Sequence, residues 1–209
     1  MRRCLPRRLS LRLAALAGLL TLVLAPAQAQ ETTTNPAAVK PGTYVLDPGH
    51  SRVVWSLSHR GFSTYSGLLP AASGTLTLDP ATPANSRVEV TLASAAVATA
   101  DARFDTRLKG ADFFNAEAFP TIRFASTAVA ATGPTAQVTG EVTLLGVTRP
   151  VTLDVTFHKA GINPTDKRYH VGFDATATLT RSDFGMRSSL PDIGDAVSLR
   201  IEAEFVPKE

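Results

Sequence analysis

Histidine is the residue type in this 209-residue chain that would most readily support catalysis or metal binding. The chain has four of them, His50, His59, His158 and His170, and the first two lie nine residues apart. None of these spacings matches H-E-x-x-H or a comparable ligand pattern. We therefore expect structural or surface histidines, with neither a catalytic base nor a metal site among them.

Serine and carboxylate chemistry finds equally little support. The sequence has no G-x-S-x-G elbow and no glycine-rich phosphate loop. Asp105, Asp112 and Asp183 could pair as general acid and base, but each stands beside residues typical of a helix cap or a turn. These aspartates are expected to be structural, and the chain is not expected to be an enzyme.

The amino terminus has the three parts of a secretory signal peptide. Arginines within residues 2–12 precede an apolar run at residues 13–25, and Ala27-Gln28-Ala29 forms an A-x-A cleavage site. The apolar run is shorter than the roughly 20 residues that a membrane-spanning helix needs. The sequence therefore predicts removal of residues 1–29 and a periplasmic mature protein.

Removal of this segment changes the chemistry of the chain. Cys4, the single cysteine, lies inside it, which excludes disulfides, thiolate catalysis and cysteine metal sites from the mature protein. Five of the 21 basic residues and none of the 18 acidic residues lie there, so the mature chain has 16 basic residues, 18 acidic residues and a net charge of −2. Nucleic-acid binding loses its main support with the basic excess.

Beyond a polar stretch at residues 30–41, which is typical of a flexible linker, most of the chain alternates apolar and polar residues with the period of β-strands. The clearest hairpin turns at Leu145-Gly146, and Pro150 stands at the head of its returning strand. Small polar residues at 61–67 interrupt the alternation. Strands are predicted at residues 43–46, 52–58, 74–78, 88–92, 121–126, 137–144, 151–158, 168–181 and 196–206.

One stretch, residues 102–109, follows a helical period instead. Asp101 is suited to the N-cap, Phe104 and Leu108 share one stripe, and Gly110 can end the helix. Four of the ten phenylalanines lie close by, at Phe104, Phe113, Phe114 and Phe119. This density indicates a lid or plug that packs on the apolar interior of a sheet.

Eight or nine short strands and one helix predict an all-β fold, either a closed antiparallel barrel or a β-sandwich. An eight-stranded barrel fills with side chains or holds one small ligand. Its expected inward face mixes large residues with small ones, Phe173, Leu199 and Phe205 with Ala175, Ala177 and Ala203. This mixture would leave room for a chain-like apolar molecule, or the small residues would only relieve crowding at a tapered end.

Two long motifs resemble the signatures of the YceI-like family: G-x-V-T-L-L-G-V-T-R-P-V-T-L-D-V at residues 140–155 and R-S-D-F-G-M at residues 181–186. Shorter family-like pieces are Tyr44-x-x-Asp47-Pro48-x-His50-Ser51, His59 with Gly67 downstream, and D-x-x-L-x-x-x-D-F-F at residues 105–114 with Pro120 after it. The resemblance covers about residues 42–207. It implies a lipocalin-like antiparallel β-barrel of about eight strands with one helix, occupying residues 42–209, in the periplasm.

By the same resemblance, the barrel binds or transports a long-chain apolar lipid, a polyisoprenoid such as a quinone or a prenyl phosphate, and needs no other cofactor. Transient contact with a membrane follows from such a ligand, while the choice between monomer and homodimer stays open. His50 and His59 are expected to orient strands or to touch a ligand head group near the mouth. The expected ligand-binding residues are Trp55, His59, Phe62, Phe104, Leu108, Phe113, Phe114, Phe173, Ala175, Ala177 and Phe184.

Two other functions fit the sequence. One is a stress-response or interaction barrel with a filled core, and the other is a secreted hydrolase that uses a histidine and a carboxylate. A carrier requires an open apolar cavity, whereas a hydrolase requires a nucleophile and a base within reach of each other.

Overall fold

The computed structural model describes residues 32–209. The predicted signal peptide, Cys4 and the start of the predicted linker lie outside the described residues. Within the described part, no helix is both long and apolar enough to pass through a bilayer. Its elements are β1 (Thr32–Thr33), β2 (Gly42–Leu46), β3 (Arg52–His59), β4 (Ser63–Leu78), β5 (Arg87–Ala93), α1 (Ala102–Leu108), β6 (Thr121–Thr132), β7 (Thr135–Leu144), β8 (Val147–Ile162), β9 (Tyr169–Thr180) and β10 (Ala196–Pro207), with short 3-10 helices in the connections.

The strands form a closed antiparallel barrel, as the family resemblance implies. Neighbours pair in chain order from β4 through β10. β2 and β3 each pair with both β4 and β10, so together they act as one interrupted strand and close the ring. Counted in this way the barrel has eight strands, and its closure rules out the sandwich alternative.

The hairpin of β7 and β8 forms where the motif predicts it. Leu144 pairs with Val147 across the turn, and the two turn residues, Leu145 and Gly146, have φ angles of 53° and 73°. Two consecutive residues with positive φ match a two-residue turn whose twist suits the flanking strands. Pro150 does not stand at the head of the returning strand but lies within β8, opposite Glu141. β8 therefore begins earlier than predicted, at Val147, and β7 also begins earlier, at Thr135.

The break predicted at residues 61–67 is wrong for most of its length, because β4 begins at Ser63 and pairs continuously with β3 from Ser63 to Pro70. The small residue in the middle, Gly67, lies opposite Trp55. A Cβ atom on Gly67 would lie 2.4 Å from Cζ2 of the Trp55 indole. The glycine is therefore required by packing and does not interrupt the strand.

α1 confirms the predicted helix and ends one residue earlier, at Leu108. The Asp101 carboxylate accepts a hydrogen bond from the Arg103 backbone N–H at 2.9 Å, which is the expected N-cap. Leu108 is 4% exposed and packs into the core, whereas Phe104 is half-buried. The helix thus covers one end of the barrel, which we call the helix end.

The segment expected to be a flexible linker packs against the barrel over its described part. Thr32 and Thr33 pair with Gly161 and Ala160 of β8, and Val39 is 5% exposed. Val39 joins an apolar cluster at the end opposite the helix, together with Tyr44, Leu46, Ala71, Leu76, Phe157, Ala160, Tyr169, Val171 and Phe205. The polar composition of residues 30–41 did not indicate that Val39 would be buried in this way.

Candidate functional site

A cavity of about 1330 Å³ runs through the interior of the barrel. This volume is larger than the roughly 300–1,000 Å³ typical of drug-sized ligands. Alternation along the strands turns aliphatic side chains inward, and among the residues that form the wall are Val53, Val90, Val138, Leu153, Leu199 and Ile201. A space of this size and chemistry suits a long hydrocarbon chain.

Aromatic rings lead from the helix end into the cavity. The Tyr65 ring lies edge-on to the Phe104 ring, with centroids 5.3 Å apart, and Phe104 in turn contacts Phe113 at 6.2 Å. Trp55 and His59 lie 6.3 Å and 6.2 Å from Tyr65. Edge-to-face and tilted ring pairs are the favourable geometry for such contacts. The mouth of the cavity is therefore an ordered aromatic cluster.

Ten of the eleven predicted ligand-binding residues line the cavity. The exception is Ala177, which packs against the apolar cluster at the helix end without reaching the cavity surface. Binding of a ligand by the other ten stays a prediction. They are Trp55, His59, Phe62, Phe104, Leu108, Phe113, Phe114, Phe173, Ala175 and Phe184.

The wall at the opposite end contains residues that the sequence did not single out. Pro36 and Ala37, in the segment expected to be a linker, face the cavity there, as do Pro83 and Pro134 in two turns between strands. Three phenylalanine rings narrow this end. The centroid of the Phe173 ring lies 5.7 Å from that of Phe157 and 6.3 Å from that of Phe205. The cavity thus extends as far as the amino-terminal segment.

Arg181 is the residue that sequence reasoning missed. It is 4% exposed and lines the cavity at the helix end. Its guanidinium donates to the backbone oxygens of the following loop: Nε to Gly194 at 2.8 Å, Nη1 to Met186 at 3.1 Å and to Ser188 at 2.9 Å, and Nη2 to Ile193 at 2.9 Å. Burial lowers its pKa. Its place at the head of the R-S-D-F-G-M motif was the available signal.

The remainder of that motif forms a bend at the end of β9. Phe184 turns inward and is 2% exposed, and Gly185 has a φ of 88°, which glycine adopts readily. The nearby Asp195 carboxylate accepts hydrogen bonds from the Ser182 N–H at 2.9 Å and hydroxyl at 2.6 Å. These contacts lower the pKa of Asp195 and hold the strand-end bend.

Asp105 has the structural role that was expected of the motif aspartates. Its carboxylate accepts hydrogen bonds from the Thr99 backbone N–H at 2.7 Å and from the Thr99 hydroxyl at 2.6 Å. The side chain therefore fixes the chain that enters α1.

A second polar cluster lies outside the cavity, where the β2–β3 connection meets β10. Asp47, His50 and Glu204 each offer one atom that could bind a metal ion, and these atoms all lie within 4.8 Å of one another. His50 Nδ1 and Asp47 Oδ2 are 2.8 Å apart, and this hydrogen bond raises the pKa of His50 and lowers that of Asp47. His170 bridges Glu204 and Asp166 at 3.0 Å and 2.9 Å. The contact of His170 with Glu204 joins β9 to β10, whereas the contact of His50 with Asp47 lies within the β2–β3 connection. His59 lines the cavity at the helix end, and a role of either His50 or His59 toward a head group stays a prediction.

Residues 44–205 match the family model described as the YceI-like domain. Among curated relatives, a UPF0312 protein of Pseudomonas savastanoi pv. phaseolicola is 37% identical over 169 residues, which cover 79% of this chain and 87% of the relative. A UPF0312 protein of Pseudomonas putida is 40% identical over 139 residues, 66% of this chain and 72% of the relative.

Solved structures have the same fold. BcnA of Burkholderia cenocepacia matches with a TM-score of 0.66 and 24% identity, covering 76% of this chain and 98% of BcnA. The YceI protein of Campylobacter jejuni matches at 0.59 and 28% identity, covering 68% of this chain and 82% of that one. A polyisoprenoid binding domain from Saccharophagus degradans matches at 0.59 and 14% identity, covering 81% of this chain and all of the domain.

Proposed function

Since the chain belongs to the YceI-like domain family, we propose that it is a non-enzymatic periplasmic carrier of a long-chain apolar lipid. The barrel interior holds the hydrocarbon tail, and a polyisoprenoid such as a quinone or a prenyl phosphate is the ligand class. The observation that carries this proposal is the apolar cavity of about 1330 Å³. The polyisoprenoid binding domain from Saccharophagus degradans, which has the same fold, supports the ligand class.

The energetics favour a carrier that exchanges its ligand. Burial of a hydrocarbon chain yields about 0.8 kcal/mol per methylene relative to water. A lipid that comes from a membrane already has its tail buried among other hydrocarbon chains, so its transfer into the barrel changes that energy little. Cavity shape and the chemistry of the mouth should therefore select the ligand.

The two alternative functions fit the described residues less well. A structural barrel with a filled core does not account for an interior cavity of this volume. The histidine–carboxylate pairs that such a hydrolase would use, His50 with Asp47 and His170 with Glu204, lie outside the lining of this cavity.

Protein isolated from the periplasm without detergent tests the carrier proposal. We expect organic solvent to extract a long-chain isoprenoid at close to one molecule per barrel, identifiable by mass spectrometry. Intact mass of the same preparation should correspond to a chain that begins at Gln30, without Cys4. An extract that contains no lipid would contradict the carrier proposal, and a product that retains Cys4 would contradict export by signal cleavage.

We also propose that the helix end touches a membrane while the ligand is exchanged. Phe62 is 89% exposed at the tip of the β3–β4 hairpin and lines the cavity mouth. Arg60 lies on the same turn, with its side chain 59% exposed. An apolar ring beside a cation is the composition of surfaces that bind at the boundary between lipid head groups and tails.

Replacement of Phe62 by serine should therefore weaken binding to vesicles of phosphatidylcholine and phosphatidylglycerol. Loss of one buried phenylalanine costs about 1.5–3 kcal/mol, or roughly ten- to a hundredfold in partitioning. Flotation of the protein with vesicles measures this change. Leu68→Ser is the matched control, because Leu68 is 38% exposed but lies outside the cavity lining. Equal loss in both variants would argue against the hairpin tip as the contact.

A further inference from the structure

The charged residues that line the cavity are mostly basic. They include five arginines and two aspartates, although the mature chain as a whole has a net charge of −2. Asp79 and Arg87 belong to the opposite end, and Arg123 is paired with Glu89 at 2.6 Å. At the helix end, His59, Arg60, Arg107 and Arg181 face a single lining carboxylate, that of Asp101.

The Asp101 carboxylate caps α1, since it accepts a hydrogen bond from the Arg103 backbone N–H. Arg60 has only a long contact with Asp192, at 4.0 Å between exposed side chains. Arg107 lies over the Phe113 ring, with its guanidinium carbon 5.5 Å from the ring centroid. The mouth therefore presents positive charge that its own carboxylates do not neutralise.

Arg181 adds a buried charge to this mouth. The acceptors of its hydrogen bonds are backbone carbonyls, and no carboxylate among residues 32–209 forms an ion pair with it. The nearby Asp195 accepts hydrogen bonds from Ser182, and from that position its charge offsets part of the charge of Arg181. Nη2 carries two N–H groups: one donates to the Ile193 oxygen, and the other has no acceptor within the described part of the chain. A charge next to an apolar cavity acts more strongly on a ligand than one in water.

We propose that the lipid carries an anionic head group, with a phosphate or carboxylate at the helix end and its tail towards the narrow end of the barrel. Arg181 is the residue that determines this specificity, and Arg60 and Arg107 assist it from the rim. The inference rests on the proposed carrier function and selects, within that function, an acidic lipid over a neutral one such as a quinone or an alcohol.

Titration of delipidated protein with two lipids of identical tail tests the inference. The probes are geranylgeranyl phosphate and geranylgeraniol, and the fluorescence of Trp55, the single tryptophan and a cavity-lining residue, reports binding. We expect the phosphate to bind about ten- to a hundredfold more tightly, the range for a hydrogen bond to a charged group. Inorganic phosphate should not compete at comparable concentration.

Variants locate the source of this preference. Arg60→Gln and Arg107→Gln should each reduce the ratio of the two affinities, and Arg181→Gln should reduce it most. Arg149→Gln is the matched control, an exposed arginine at the same end of the barrel but outside the cavity lining, and should leave the ratio unchanged. If Arg181→Gln does not fold, the parent protein and the two rim variants still decide the question.

Each outcome has a distinct meaning. Equal affinity for both lipids, or tighter binding of the alcohol, would overturn the head-group proposal and leave the carrier function standing. Binding of neither lipid would contradict the carrier function itself. Competition by inorganic phosphate at the concentration of the lipid phosphate would identify a free-phosphate site and overturn the assignment to a lipid.

Discussion

Protein carrying Ala175→Phe together with Ala203→Phe is expected to fold as the parent does and to lose nearly all of its long-chain lipid. Both alanines line the cavity, on neighbouring strands. Two added rings would meet the Phe157, Phe173 and Phe205 series and close the narrow end, where the tail of a long ligand must lie. Empty cavity space beside each alanine allows the rings to fit without the usual cost of overpacking a filled core.

Lipid content after purification and thermal unfolding together measure this outcome. Thr176→Phe with Thr178→Phe is the matched control, since these exposed residues lie on the same strand and outside the cavity lining. The control should keep its lipid. A short isoprenoid such as geranyl phosphate should still bind the cavity variant, because the helix end is unchanged. Full loading of the cavity variant with the long lipid would show that the tail lies elsewhere.

Sequence patterns predicted the barrel well where one face of a strand is buried and the other is exposed. The β7–β8 hairpin shows this, because alternation set the strands and Gly146 set the turn. α1 was equally predictable, since Asp101 at the N-cap and the stripe of Phe104 and Leu108 are local signals. Inward-facing aromatic residues could therefore be placed at the cavity before its shape was known.

The errors arose where long-range packing decides the structure. Gly67 resembled a strand break, yet it belongs to β4 because Trp55 on the paired strand occupies the space beside it. Ala177 has the same alternation as Ala175, but it packs beside the apolar cluster at the helix end and does not line the cavity. Alternation predicts the side of the sheet to which a residue points. It does not predict whether that residue faces open cavity or packs against other side chains.

Arg181 and the amino-terminal segment show a second limit. An arginine in a sequence usually predicts an exposed position. The cost of burying Arg181 is offset by hydrogen bonds to backbone carbonyl groups of a loop up to 13 positions further along the chain. Val39 anchors the segment through contacts with residues distant in sequence. Both depend on partners that composition and periodicity do not identify, and Arg181 is the residue on which the head-group inference depends.

Leu108→Asp is expected to destabilise the delipidated protein by about 3 kcal/mol or more. Leu108 is 4% exposed and packs in the cluster that includes Trp55 and Phe113. Its replacement removes a buried leucine and places a carboxylate on the cavity wall, so the lost packing and the poorly solvated charge act in the same direction. Denaturant unfolding measures the free energy, and the lipid must be absent because bound ligand stabilises the native state.

Thr106→Asp separates this effect from a general response to negative charge on α1. Thr106 is exposed on the same helix, so its replacement should change the free energy of unfolding by no more than about 0.5 kcal/mol. If Leu108→Asp is as stable as the parent, the helix does not pack on the barrel. If it is unstable yet retains lipid like the parent, α1 supports the core without closing the cavity, and the mouth of the carrier must lie at the opposite end.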